Sequence, residues 1–282
     1  MDITYLSLII FIVLTYVYYA IPAIGKINFT LEALKNQALG ETIKKNYTRF
    51  GIYIMAIIVS QFAINSIYLI NKCGGDAGQN VGTAAYLTFF PWVFIFGIMC
   101  IVLMMYPYFK SAFSDVVGYF AIASKANKIL TSILIDVDAE EAIDKTNMTA
   151  EDKTNMKKAA DALLKLCGNK SIIINKMTPY NYLEIWNMLV PLMRNKGNIP
   201  DLPDIQNQLY NLVVLKDNIG ESVWYIYTAI LVTSLISYNL STKPCKKSLD
   251  QIKADHDKYL EDEKKLEEQK TLNNSTPMVI SG

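Results

Sequence analysis

A chain of 282 residues with 52% hydrophobic and 19% charged side chains, 27 basic against 26 acidic, divides its apolar and charged residues into separate stretches instead of mixing them. Residues 107–221 carry thirteen basic and fourteen acidic side chains and residues 241–282 carry eight of each, so neither stretch has the basic excess that binding a phosphate backbone needs, which argues against direct nucleic-acid contact. Cys73, Cys100, Cys167 and Cys245 are widely scattered, a spacing that suggests neither a disulfide framework nor a zinc site.

Residues 3–24, 50–70, 86–106 and 222–240 are each about twenty residues long, apolar and free of Asp, Glu, Lys and Arg. At 1.5 Å per residue such lengths match a hydrocarbon core of about 30 Å, so four transmembrane helices are expected. The first stretch has no basic segment before it and a poor cleavage site at Ala20-Ile21-Pro22-Ala23. It therefore reads as a retained anchor, with Pro22 tolerated at its end. Lys26, Lys35, Lys44, Lys45 and Arg49 load the first loop, whereas Lys72 is alone in the second. The first loop and residues 107–221 are accordingly placed on the cytosolic side, and the loop around Cys73 on the other. A fourth crossing then puts Lys243, Lys246 and Lys247 against that rule, which leaves the side of the tail open.

The water-facing segment 111–221 reads as a small helical domain. Over 114–135 the spacing of Val116, Phe120, Ala123, Ala126, Leu130 and Ile133 predicts an amphipathic helix capped by Ser114. Thr149 with Asp152 starts a second helix, burying Met156, Ala160, Leu163, Leu164 and Cys167 and stopping at Gly168. Ser171-Ile172-Ile173-Ile174 suggests a short strand or extended link. Thr178 and Pro179 open a third helix presenting Leu183, Trp186, Val190 and Met193, with a kink at Pro191 and an end at Gly197. A fourth, after Pro203, aligns Ile205, Leu209, Leu212 and Val213 until Gly220 leads into the last span. Phe120, Leu163, Trp186 and Leu209 are the expected core, although Trp186 could instead anchor a partner.

In residues 245–270, Leu249, Ile252, His256, Tyr259, Glu263 and Leu266 recur at heptad spacing, but two of the six are polar. A lone solvated helix is favoured over a coiled coil, and residues 271–282 read as disordered. The fold class is thus all-α: a multi-span integral membrane protein with a helical water-facing domain and a charged C-terminal helix.

Catalytic chemistry is sparse. His256, between Asp255 and Asp257, reads as a solvated surface residue with no convergent metal ligands. The Gly-rich run at Cys73–Gly78 lacks a following Lys-Ser or Lys-Thr, and Gly168-Asn169-Lys170-Ser171 lacks the upstream glycine of a phosphate loop. No catalytic, cofactor or metal residue is assigned. The candidate site residues are polar groups inside the spans: Ser60, Gln61 and Asn65 in the second, Thr233 and Ser237 in the fourth. They read as interhelical hydrogen bonds, with a pore as the alternative. Tyr16, Tyr18, Tyr19, Trp92 and Trp224 suggest an interfacial aromatic belt. The sequons at Asn28, Asn46, Asn147, Asn169, Asn239, Asn273 and Asn274 are at the level of chance in a chain this rich in Asn, Ser and Thr.

Three segments carry a resemblance. Tyr106-Pro107-Tyr108-Phe109-Lys110-Ser111-Ala112-Phe113-Ser114-Asp115-Val116-Val117-Gly118-Tyr119, Met177-Thr178-Pro179-Tyr180-Asn181-Tyr182-Leu183-Glu184-Ile185-Trp186 and Leu212-Val213-Val214-Leu215-Lys216-Asp217-Asn218-Ile219-Gly220-Glu221-Ser222-Val223-Trp224-Tyr225 are similar to a membrane protein family of nucleocytoplasmic large DNA viruses. The likeness covers residues 86–240 best and brings no catalytic motif. It implies a structural protein of the virion inner membrane, made on host internal membranes, that links lipid to capsid or scaffold proteins. The implied partners are the bilayer and those proteins, with homo-oligomerisation open. A channel or transport component is the alternative function.

Overall fold

A computed structural model describes residues 3–74, 77–134, 170–190, 193, 201–245 and 249–274. The architecture is all-α, its only extended pairing among the described residues being a bridge between Leu134 and Met193. Helix α1 is Ile3–Ala20, α2 Leu31–Lys35, α3 Gly40–Cys73, α4 Ala77–Pro91, α5 Gly97–Met105, α6 Ser111–Phe113, α7 Tyr119–Ile133, α8 Lys170–Lys176, α9 Tyr182–Leu189, α10 Leu202–Thr242 and α11 Leu249–Asn274. Four helical stretches, Ile3–Ala20, Gly40–Cys73, Gly78–Met105 and Leu202–Thr242, are long and apolar enough to cross a membrane. The protein is an integral membrane protein.

Two of these helices run well past their uncharged parts. Helix α3 begins ten residues before residue 50, and α10 crosses Gly220 without a break for 41 residues. Hydropathy locates where a helix enters lipid, but hydrogen bonding continues through that boundary. Helix α1 instead ends at Ala20, because the carbonyl of Tyr18 accepts from the amide of Lys26 and the chain folds back through Pro22 and Gly25. Within the third crossing, Pro91 is followed by a π-turn at Trp92–Phe96. A proline has no N–H to give and crowds the preceding turn, and a widened turn accommodates both effects.

The membrane core gathers Phe11, Tyr53, Ile57, Trp92, Phe96, Tyr225 and Ala229 from all four crossings. A second core, on the water side, contains Leu31, Ile122, Leu130, Ile174, Tyr182, Trp186, Leu209 and Val213. Helix α10 contributes to both, and Leu31 comes from the first loop, so the water-facing unit is not confined to 111–221.

A second π-turn, Ser114–Gly118, replaces the expected start of a helix capped by Ser114. Its extra residue rotates everything upstream by about 100° relative to an α-helix. Downstream, α7 is a regular α-helix that continues a buried face of Gly118, Ile122, Ala126, Leu130 and Ile133; Phe120, two residues from Ile122 and so on the far side of that helix, is 78% exposed, and Val116, inside the π-turn, also faces out. Phe120 is thus not a core residue. Ser114 and Gly118 sit against α10: a Cβ on Gly118 would lie 2.5 Å from the Lys216 carbonyl oxygen, and one on Gly220 would lie 2.5 Å from Cβ of Ser114. Only small residues permit that approach, so Gly220 is a packing contact inside α10 and not a joint.

Ser171–Ile174 are helical, in α8, with Ile173 and Ile174 buried. Three apolar β-branched residues in a row suit a strand by propensity, but burial decides their state here. Thr178 and Pro179 do not open the third helix. The Thr178 hydroxyl accepts from the Asn181 amide while the Asn181 carboxamide oxygen accepts from the Thr178 amide, and α9 begins only at Tyr182. The expected helix from Thr149 to Gly168, with Leu163 and Cys167, lies outside the described residues, as do Pro191 and Gly197.

The cysteines are not all unpaired. Cys73, the last residue of α3, is disulfide-bonded to Cys245, three residues past α10, across 172 residues of sequence. Sequence distance concealed the pair because antiparallel crossings return the chain to the same end of the bundle. Lys72 reinforces the junction by donating to the carbonyls of Leu240, Ser241 and Lys243, which α10 leaves unsatisfied at its C-terminus. The second loop and the base of the tail therefore share one end of the bundle. The first loop and the water-side core share the other, joined by Lys35 to Gln206 at 2.7 Å. In α11 the described side chains, Ile252, His256, Tyr259 and Leu266 among them, are exposed, and the helix runs to Asn274, past the expected onset of disorder.

Candidate functional site

Where α10 leaves the uncharged stretch, four consecutive or near-consecutive polar residues turn inward and together grip several parts of the chain. Glu221 receives Lys110 Nζ at 2.6 Å, Lys26 Nζ at 3.1 Å, the Tyr19 hydroxyl at 2.9 Å and the Tyr225 hydroxyl at 3.2 Å. Asp217, one turn earlier, accepts from Lys110 at 3.2 Å. Lys216, 1% exposed, donates to Asp115 at 2.8 Å and to the Asn175 carbonyl at 3.1 Å. The Asn218 carboxamide donates to Asn28 at 2.8 Å. The network thus binds the first loop, the segment after the third crossing, the second π-turn and α8 to one helix.

Each buried charge here has opposite charge and hydrogen bonds around it, the condition under which burying ions is tolerated. Burial alone would lower the basicity of Lys110, but Glu221 and Asp217 more than compensate and hold its ammonium above the ordinary lysine range. A carboxylate saturated by two ammonium groups and two hydroxyls is a poor proton acceptor. The arrangement clamps; it is not built for acid–base chemistry.

Polar residues inside the uncharged spans do not lead to this network, since Glu221 lies one position outside the fourth. A usable signal existed: Lys26, Lys110 and Glu221 each follow or precede a span by a few residues at the same end of the bundle.

Within the spans, the polar candidates divide. The Gln61 carboxamide donates to the Ser7 carbonyl at 2.9 Å, that of Asn65 to the Thr88 hydroxyl at 2.9 Å, and Ser237 pairs with Thr4 at 2.7 Å. These three join different helices. Ser60 and Thr233 instead donate to carbonyls of their own helices, at Ile57 and Ala229. A hydroxyl one turn from a carbonyl has that partner regardless of its neighbours. Ser7, Gln61, Asn65, Thr233 and Ser237 surround one small void between α1, α3 and α10 that has no room for a water molecule.

The expected aromatic belt is mostly interior. Trp92 is buried and stacks on Phe11 at 5.5 Å, Tyr18 stacks on Tyr53 at 4.4 Å, and Tyr19 reaches Glu221, whereas Tyr16 is exposed. Trp224 caps the junction, donating to the Phe109 carbonyl at 3.1 Å. A helix without charges on any face does not announce which face looks inward. Trp186 is 5% exposed and stacks on Tyr182, whose hydroxyl donates to the Gln206 carbonyl at 2.6 Å. Its position is in the water-side core, not on a docking surface.

Compared with protein-family models, curated proteins and solved structures, the chain matches none.

Proposed function

We propose that this is a non-catalytic structural protein that ties a lipid bilayer to a protein layer, as an inner-membrane component of a virion assembled on host internal membranes and docked to capsid or scaffold proteins. The observation that carries the reading is the shared helix α10. One rod belongs to the membrane core and to the water-side core, and the ion network at their junction resists bending between them. A load on the water-side unit is thereby transmitted to the bundle. The resemblance of residues 86–240 to the viral family supplies the virion and the shell proteins.

Val116, Val117 and Phe120 add support, as an exposed apolar strip beyond the end of the third crossing, where a docked protein would cover it. The channel alternative has less behind it: Gln61 and Asn65 are engaged in helix contacts around a void too small for water. The test is to locate the chain in purified particles and to crosslink it there. Crosslinks from the Phe120 face to a shell protein, lost in a Phe120→Asp variant, are expected. Absence of the chain from particles, or ion conductance by the purified protein that a Gln61→Leu, Asn65→Leu double variant abolishes, would overturn the proposal.

A further inference from the structure

Beside the ion network lies a cleft of about 350 Å³ that no contact described above occupies. It opens between the end of α1, the start of α3 and the end of α5. One half is apolar: Phe50, Leu103 and Met104, the last two inside the third membrane crossing, while Ile43 lies at the water-side mouth, two turns before Phe50 on α3. The other half is polar, with Lys26, Lys110 and Glu221 at one wall and Asn46 and Tyr180 nearby. The division follows the membrane boundary, so the apolar half is at acyl-chain depth and the polar half at headgroup depth.

We infer that this cleft binds one anionic phospholipid, its phosphate at Lys26 and an acyl chain along Phe50, Leu103 and Met104. Met104 is 46% exposed within the third crossing, which makes the apolar half continuous with the lipid-facing surface and lets a lipid enter sideways. Charge selects the headgroup. Lys26, Lys110 and Arg49 supply three cations at this level, and Glu221 and Asp217 two carboxylates, leaving an excess of one positive charge. Lys26 is the free hand of the cluster: its ammonium has three donors, its described hydrogen bond to Glu221 takes one, and its side chain is 18% exposed. Lys110 holds the same Oε2 of Glu221 more closely, so Lys26 can share its ammonium with a phosphate without leaving the carboxylate unpaired. On the adjoining exposed turn of α3, Lys45 is paired with Glu41 at 2.7 Å and Lys44 is left to attract anionic lipid to the mouth.

The test uses the full chain with its disulfide intact, reconstituted in phosphatidylcholine nanodiscs with a minor fraction of phosphatidylglycerol. After extraction into detergent, bound lipid is counted by native mass spectrometry. One retained phosphatidylglycerol per chain is expected, with Lys26→Gln weakening retention about tenfold, the effect of one charge-assisted hydrogen bond. Met104→Trp, which fills the apolar half without touching an ion pair, should also displace the lipid. Equal retention of phosphatidylcholine, no retained lipid, or retention unchanged in both variants would overturn the assignment. Displacement by inorganic phosphate or glycerol phosphate as effectively as by phosphatidylglycerol would also overturn it, since the ligand would then be a soluble anion.

Discussion

Glu221 is the residue on which most of the junction converges. Replacing it with Ala leaves Lys26 and part of Lys110 without a counter-charge in a buried setting, a loss of about 3–5 kcal/mol. A Glu221→Gln variant keeps the shape and some hydrogen bonds and should lose less. Thermal unfolding of the two purified variants in detergent checks the order. The pH response of the water-side unit has a defined sign. The folded pKa of Lys110 is raised above its ordinary 10.5, and burial raises that of Tyr182 above 10.0. Both groups hold their protons more tightly when folded, so their contribution is complete below those ordinary values and is lost as pH rises through the folded ones. Melting temperatures followed against pH should be level in this respect from pH 6 to 9 and fall above about 10.5; a rise there would contradict the network. In the bundle, replacing Gln61 and Asn65 by Leu should weaken helix association by about 0.6–2 kcal/mol per lost hydrogen bond while insertion persists, as measured by detergent or steric-trap unfolding.

At the scale of elements, the 3.6-residue period of α7 decides which of its side chains are inside. Ile122→Ala should cost about 2–5 kcal/mol, since a fully buried aliphatic side chain is removed, whereas Phe120→Ala should change stability by about 0.5 kcal/mol or less. The reverse order in melts of the two variants would contradict this buried face. Gly220→Leu tests the contact of α10 with the second π-turn. A branched side chain cannot fit against Ser114, so α10 and the π-turn would have to separate, with loss of the Lys216 to Asp115 pair. The amphipathic spacing around Ala126, Leu130 and Ile133 was legible in the sequence because α-helical geometry holds there. Phe120 falls off the buried face because three- and four-residue steps from Ile133 back through Ala123 drift around the helix, and Val116 because the π-turn's extra residue leaves no mark in composition or hydropathy.

For the whole molecule, the disulfide and the first-loop contacts make a single statement about topology. Cysteine reporters at residues 30–45 should be labelled from the side of the water-facing unit, which the basic first loop places in the cytosol. Reporters near Gly75 and at residue 270 should be labelled only from the other side, which the Cys73–Cys245 bond requires to be oxidising. Labelling of residue 270 together with residue 35 would contradict an even number of crossings before the tail.

The sequence by itself determined the class of the protein, its four crossings and the approximate depth of each. These follow from uncharged length against bilayer thickness, a local property readable one segment at a time. The burial of Trp186 and Leu209 was equally within reach, from spacing along regular helices. Tertiary structure alone decided the rest. Whether Tyr18 and Trp92 face lipid or protein, whether Cys73 meets Cys245, and whether Glu221 is solvated or clamped by Lys26 and Lys110 all depend on which helices are neighbours. Nothing in a uniformly apolar helix encodes its neighbour locally. That choice is made by packing, by the close approach at Gly118 and Gly220, and by the need to give every buried charge a partner.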